Sequence, residues 1–419
     1  MDRDQLDGTG RARWLTGATV VDGTGADPVA DRSVVVADGR IVALGGRPPA
    51  GADVLDLTGL VLTPGLIDAH VHLGLSSDLD RMMAHRIPVA ELAADVFENC
   101  RRTLESGFTT VRDTGGLDRG VAQVVADGRV PGPRILQCGP ALAQTGGHGY
   151  LGAVWEDPAH WPSHHVPGLT ALSLVADGPD EVRRTAREVF RRGADFLKMC
   201  VTGGVVSHFD ELSDTQFTFS EIAAAVAEAS ARGTYVTVHA HNTAGLRTAI
   251  DAGVRCVEHG SGIDEGTAAL MAARGVAHVP TLAVAERLLT GAAAAGLPAH
   301  VGDRVAGILE AQGEAVLASR AAGVLVGSGS DYTGPDQDRR GRELLLRSRI
   351  ESPMAALLSA TRDNARILGI ADDAGTVEPG KVADLTVFAA DPLADPEVFD
   401  RPGEVVVVLR AGRVVKDTR

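Results

Sequence analysis

Lys198 lies in an apolar run, Ala194-Asp195-Phe196-Leu197-Lys198-Met199-Cys200-Val201, of a chain with three lysines against thirty-seven arginines. Burial penalises a charged lysine, so a lysine kept here points to a use for the amine itself. Lysine, unlike arginine, loses its proton and acts as an amine. Combined with carbon dioxide it becomes a carbamate, which offers the donor atoms of a carboxylate and suits a bridge between two metal ions. Residues that bind metals end several other apolar runs. In Leu66-Ile67-Asp68-Ala69-His70-Val71-His72 the two histidines are two residues apart, so on a strand, where side chains alternate, they point to one side and can share an ion. Alone, such a pair is more often a satisfied core or surface feature. Val236-Thr237-Val238-His239-Ala240-His241, Val257-Glu258-His259-Gly260 and Val326-Gly327-Ser328-Gly329-Ser330-Asp331 each add a further ligand type at a strand-like end. Convergence of so many by accident is improbable, and together they point to a metal centre.

The elements that must position these residues fall into three zones. Residues 13 to 62 carry short β-rich runs between Gly/Asp turns, and the tail repeats that rhythm in Ala383–Phe388 and Val405–Leu409. Neither end is large enough to be stable alone, so the two are expected to pair as a discontinuous β-sandwich, residues 1–62 with 365–419. Between them, residues 63–364 alternate strand-like runs with Ala/Arg/Glu-rich helical stretches, the signature of a parallel α/β sheet. Strands are expected to start near Gly65, Thr109, Arg134, Asp195, Tyr235, Cys256, Ala277 and Leu325. Helices are expected at Glu181–Arg192, Ser220–Arg232 and Gly245–Ala252, ended by Gly193, Gly233 and Gly253. Eight such units imply a (β/α)8 TIM barrel with its active site at the C-terminal strand ends. The stretch from Gly139 to about Pro179 is expected to be one long loop, of the kind that forms lids.

Composition narrows the function. A formal charge of −15 argues against a nucleic-acid surface or an acidic membrane as partner. Cys100, Cys138, Cys200 and Cys256 show no paired spacing and read as reduced core thiols. The start, Met1-Asp2-Arg3-Asp4-Gln5, is polar and has no signal-peptide pattern, and no apolar run is long enough to span a bilayer. The expectation is a cytoplasmic protein with a small-molecule substrate. Oligomeric state is not legible, although barrels of this type often associate as homo-oligomers.

On these residues the chain resembles the amidohydrolase superfamily over nearly its whole length. That family carries His-x-His on strand one, a carboxylated lysine on strand four, histidines on strands five and six, and an aspartate on strand eight. His70, His72, Lys198, His239, His259 and Asp331 match one for one. Pro64-Gly65-Leu66-Ile67-Asp68-Ala69-His70 and Gly375-Thr376-Val377-Glu378-Pro379-Gly380-Lys381-Val382-Ala383-Asp384-Leu385 match further family stretches. Thr145-Gly146-Gly147-His148-Gly149 and the run from Lys198 to Ser207 are similar to the branch of metal-dependent Xaa-Pro and related dipeptidases, with ochratoxinase-like amidases and imidazolonepropionase relatives nearby.

The resemblance implies two divalent ions, Zn²⁺ by expectation, bridged by N6-carboxylated Lys198 and a hydroxide, at the ~3.5–4 Å spacing of two-metal sites. His70, His72 and Asp331 would hold the buried ion, and His239 and His259 the outer one. Asp331 would be the general base that takes the proton of the attacking hydroxide and delivers it to the leaving nitrogen. The implied activity is hydrolysis of an amide bond in an N-acyl amino acid or dipeptide-like substrate with a free carboxylate. His148 matches a position that contacts substrate. His241 shares the inward face with His239 and stands where dipeptidase members commonly carry a tyrosine that holds the substrate carboxylate. That departure keeps a second activity open, hydrolysis of a cyclic amide or another non-peptide C–N bond, including deamination. Lys198 counts against deamination, because deaminases of the superfamily usually hold one metal and lack this lysine. A third reading is a non-catalytic barrel whose metal only stabilises it, distinguished by a closed coordination shell.

Other residues near these motifs carry weaker expectations. Arg339, Arg340 and Arg342 follow Asp331; one could clamp a carboxylate, while at least two are expected to form a solvated helix start. His160, His164 and His165, with Trp155 and Trp161, either line the pocket or form the surface of a lid. Ser207 and His208 are expected to support the site from behind, and Cys200 to be a core thiol.

Overall fold

The computed structural model describes residues 12–419, apart from 77, 79–80, 83–85, 151–154, 158–164, 208, 295–298 and 334–335. Parallel strands form around a central axis: β1 (Leu66–Val71), β2 (Phe108–Asp113), β3 (Arg134–Gln137, continuing as Ala141–Ala143), β4 (Leu197–Cys200), β5 (Val236–Ala240), β6 (Cys256–His259) and β7 (Ala277–Val279). The two halves of β3 divide the wall, the first pairing with β2 and the second with β4 through Leu142 and Met199. The eighth segment, β8 (residues 325–330), closes the ring mainly by single hydrogen bonds. The His278 N–H donates to Leu325 O, the Gly327 N–H to His278 O, and the Ala69 N–H to Ser328 O. Asn364 locks the seam, since its Nδ2 donates to Ile67 O at 2.7 Å and to Ser328 O at 2.8 Å. The strand starts lie within two residues of those expected from the sequence.

Capping chemistry sets the helix limits. In α1 (Thr243–Ala252), Asn242 accepts from the Gly245 N–H, and Gly253 ends the helix in the left-handed conformation at φ 96°. In α2 (Glu265–Arg274), Asp264 and Gly275 play the same parts. An apolar core buries the inner faces of these helices against β4–β6, with Val236, Val238, Leu246, Ile250 and Val257 closed to solvent. α3 (Leu282–Ala294) and α4 (Ala299–Ala321) follow β7. Among the described residues, no helix is long and apolar enough to cross a membrane.

Both ends of the chain build the β layers beside the barrel. One sheet orders Arg40–Leu44, Val34–Ala37, Arg13–Thr16 and Asp53–Asp56; the other orders Thr19–Val20, Val61–Pro64, Leu385–Phe388, Val405–Arg410 and Arg413–Asp417. The ends meet where Leu385–Phe388 pairs antiparallel with Val61–Pro64, and a shared core of Val20, Ile41, Leu62, Leu385 and Val407 fills the layer. One expectation fails. The stretch from Gly139 to Pro179 is not a continuous loop, because it holds Ala141–Ala143, Thr170–Ala171 and Ser173–Val175. Small residues and glycines hid those short strands from periodicity.

Candidate metal centre

The strand ends bring the ligand-type residues into one cleft. His70, His72 and Asp331 form one compact group and His239, His241 and His259 another, with the donor atoms of each group within 4.8 Å of one another. Nε2 of His72 lies 3.0 Å from Asp331 Oδ1, Nε2 of His70 lies 3.5 Å from the same oxygen, and Nδ1 of His259 lies 3.8 Å from Oδ2. Asp331 therefore faces both groups. Lys198 lines the same cleft, is 3% exposed, and forms no hydrogen bond or ion pair among the described residues. His148 also lines the cleft, its ring stacked on His239 with centroids 4.0 Å apart.

The backbone is bent to aim two of these groups. His259 and Asp331 adopt φ of 66° and 55°, the left-handed region that costs a non-glycine residue energy. Gly329 lets β8 come this close to β1, since a Cβ there would lie 2.5 Å from His70 Cβ.

Burial sets the charge state. The imidazoles of His239 and His259 are pushed well below their usual range, first by burial and then by neighbouring imidazoles. Burial, followed by the His148 charge, brings His241 down to about 3. Burial, followed by the Lys198 charge, brings His148 to about 4. His70 is lowered by burial despite Asp331. In His72 burial also opposes the charged form, but the bond and charge of Asp331 win and raise it. Burial would raise Asp331, yet His70 and His72 hold it low and ionised. The outcome is a cluster of largely neutral rings with available lone pairs beside one carboxylate.

A buried ion pair supports this layer from inside the barrel. Glu258 accepts from Nδ1–H of His70 at 2.8 Å and from Nη2 of Arg112 at 2.6 Å, and Thr237 Oγ1 donates to it as well. Gly115 O fixes His72 through Nδ1 at 2.7 Å, and Thr281 Oγ1 lies 2.7 Å from Nδ1 of His259. Behind β1, Asp68 accepts the main-chain N–H of His70 at 3.1 Å and of Ser330 at 3.0 Å, joining two ligand-bearing strands. Arg340 pairs with Asp68 at 3.3 Å and is fully buried.

That last contact sets Arg340 apart from its two neighbours. Arg340 is not part of a solvated helix start, because the Asp68 carboxylate recruits it into the core. Arg339 pairs with Asp400, and Arg342 with Glu286 and Asp400, and none of the three lines the cleft. The arginine that does line it is Arg287, which donates to Thr333 O at 2.7 Å and pairs with Asp336 at 2.8 Å. Leu75, Leu172, Val206, Val284, Leu288 and Ile308 make much of the remaining wall apolar. Trp155 is 88% exposed and, like His165, does not line the cleft, while His160, Trp161, His164 and His208 lie outside the described residues. Ser207 Oγ lies 3.1 Å from Nδ1 of His148, and Cys200 is buried but reaches the cleft wall. Sequence reasoning assigned no role to Glu258, Arg112, Asp68, Asp210 or Arg287. For Glu258 the signal was present, a carboxylate inside the apolar run Cys256-Val257-Glu258-His259.

A profile described as the amidohydrolase family matches residues 61–415. A prolidase solved in complex with N-methylphosphonate-L-proline is 34% identical, with 97% of this chain and 100% of that one covered, at a TM-score of 0.89. Ochratoxinase of Aspergillus niger is 29% identical over 410 residues, covering 93% of this chain and 84% of its own length. Its crystal structure superposes at a TM-score of 0.84 over 97% of this chain and 96% of that one, at 28% identity. A Xaa-Pro dipeptidase with methionine in its active site is 28% identical, covering 97% of this chain and 100% of that one, at a TM-score of 0.84.

Proposed function

The chain belongs to the amidohydrolase family, and on that premise we propose that it is a binuclear metal-dependent hydrolase of the amide bond in an N-acyl amino acid or dipeptide-like substrate. The observation that carries this reading is the convergence of His70, His72, His239, His259, Asp331 and Lys198 on one cleft. The donor set fits divalent ions such as Zn²⁺, because imidazoles and one carboxylate form two compact groups. Lys198 lines the same cleft as both groups. As an ammonium it would repel ions held there; as an N6-carboxylate it would bind them.

When bound, two ions supply a water nucleophile near neutral pH and polarise the scissile carbonyl. The chain does the rest. Asp331, ionised and facing both groups, takes the nucleophile's proton and delivers it to the leaving nitrogen. Glu258 holds the His70 ring so that Nε2 faces the ion site. His148 and His241 face the substrate, and the apolar wall takes its side chain.

The alternative, hydrolysis of a cyclic amide or another non-peptide C–N bond, has two observations in its favour. The cleft's arginine, Arg287, is already engaged by Asp336 and Thr333, and His241 replaces the tyrosine expected of a carboxylate-binding dipeptidase. Amine release from dipeptides and N-acyl amino acids by zinc-loaded protein, with Asp331→Asn as the blank, tests the two. Turnover lost in the blank supports the first, and metal-loaded protein inert towards that panel moves the assignment to the second.

A further inference from the structure

Beside the cleft runs a closed circuit of polar groups whose direction follows from one backbone amide. The main-chain N–H of His148 donates to Oε1 of Gln216 at 3.0 Å. A main-chain N–H only donates, so this contact fixes which end of the Gln216 amide is oxygen. Nε2 of Gln216 therefore donates to Oδ2 of Asp210, at 2.6 Å. The other Asp210 oxygen accepts the hydroxyl proton of Ser207. With that single proton committed, Ser207 Oγ accepts from Nδ1–H of His148 at 3.1 Å. The circuit thus places the ring proton on Nδ1 and, in the neutral ring, leaves Nε2 as a bare acceptor.

This is a built arrangement. Gln216, Asp210 and Ser207 are 1%, 8% and 9% exposed. Gly204 is required beside it, because a Cβ there would lie 2.3 Å from Nδ1 of His148. Nε2 of His148 makes no hydrogen bond among the described residues, and the ring lines the cleft against His239. A bare acceptor at the wall of a site for amides calls for a donor on the substrate. A secondary amide carries an N–H next to its scissile carbonyl, and a prolyl or N-methylated amide does not.

We propose that Asp210, acting through Ser207, holds His148 as the hydrogen-bond acceptor for the N–H of the scissile amide, so that the site selects secondary over tertiary amides. Asp210 and Ser207 are positioning residues; His148 makes the contact. The inference rests on the amide-hydrolase reading and deepens it. Asp210→Asn gives a nearly isosteric test. If the new carboxamide keeps its oxygen towards Gln216, its N–H₂ faces Ser207, whose hydroxyl must then turn to donate to Nδ1 of His148. The ring proton moves to Nε2, and the acceptor is lost.

The experiment uses the zinc-loaded full chain and two readouts. Long-range ¹H–¹⁵N correlations of the histidine rings, with the His148 signals assigned by their loss in His148→Gln, report the tautomer directly. Turnover of N-acetyl-L-phenylalanine against N-acetyl-N-methyl-L-phenylalanine reports the selectivity. The expected result is an Nδ1–H ring in the wild type and at least about a tenfold preference in kcat/KM for the secondary amide. Asp210→Asn should shift the ring to Nε2–H and erase the preference, and Ser207→Ala should erase the preference without a fixed tautomer. An Nε2–H ring in the wild type, or an Asp210→Asn protein that keeps both tautomer and preference, overturns the proposal. Protein that turns over neither amide counts against the amide-hydrolase reading instead, and the tautomer still decides whether the circuit runs as described.

Discussion

Glu258 accepts the Nδ1–H of His70 at 2.8 Å, and both side chains are closed to solvent. Burial alone would raise the Glu258 carboxyl; the Arg112 guanidinium and His70 instead hold it well below the usual carboxylate range. An anion at this point keeps the His70 proton on Nδ1 and leaves Nε2 free to bind an ion.

Glu258→Gln therefore tests the arrangement with little change of shape. Its carboxamide oxygen is expected to stay with Arg112 and its N–H₂ to face Nδ1, which forces the ring proton of His70 to Nε2. Metal affinity should fall by about 10–100-fold, the usual effect of losing a partner behind a ligand. Zinc competition against a chelator measures this, and unchanged affinity would mean that His70 is oriented by other contacts. Glu258→Ala should go further and strand Arg112, costing about 3–5 kcal/mol of stability.

Lys198→Arg separates charge from carbamate chemistry. Arginine keeps a cation but does not form the carbamate. The variant should bind at most one ion per chain and the wild type two, and amide hydrolysis should be lost in the variant. Metal content after gel filtration is the readout; two retained ions would remove the carbamate from the reading.

The convergence of ligand-type side chains on one cleft was legible because each ends an apolar run, and strand alternation fixes which side chains share a face. The barrel was legible for the same reason, as long as strands were apolar and helices ended at glycines such as Gly253. The second half of β3 was not, since its three residues are Ala141-Leu142-Ala143 and carry no periodicity. The supporting contacts were hidden for a different reason. Arg340 and Asp68 lie 272 residues apart in sequence, and an arginine next to Arg339 and Arg342 looks solvated until a buried carboxylate claims it. His241 was ambiguous in the sequence because it shares the inward face with His239, and its ring stacks on His259 with centroids 5.0 Å apart.

The three arginines after Asp331 should now behave differently from one another. Arg340→Met leaves Asp68 without its buried cation and should destabilise the fold by about 3–5 kcal/mol. Arg339→Ala and Arg342→Ala each remove one partly exposed arginine from the buried Asp400 but leave it the other, and should cost about 1 kcal/mol or less. KM for a carboxylate-bearing substrate should be unchanged in the latter two and should rise in Arg287→Ala if that residue reads the carboxylate. Denaturant unfolding and steady-state kinetics distinguish these outcomes, and a raised KM in Arg339→Ala or Arg342→Ala would restore the clamp to that loop.

Glu343 sets a pH dependence that is separate from the metal site. Its carboxyl is 1% exposed, accepts the Ala283 N–H at 2.8 Å, and is raised to about 8, by burial first and against the opposing charge of Arg347. In the unfolded chain the same group titrates near its ordinary value of 4.5. Between those values the folded protein keeps a proton that the unfolded chain has lost, so stability must fall as pH rises from about 4.5 to about 8. Above that window the penalty is constant, and below it the penalty is absent. Glu343→Gln keeps an oxygen for the Ala283 N–H and removes the ionisable group. Its Tm should match or fall slightly below the wild type near pH 5 and exceed it near pH 8, the difference growing on the order of a few kcal/mol. Thermal unfolding of both proteins across that range, in a chelator to keep metal binding out of the comparison, gives the two slopes. Parallel slopes would show that Glu343 ionises in the folded protein much as it does in the unfolded chain.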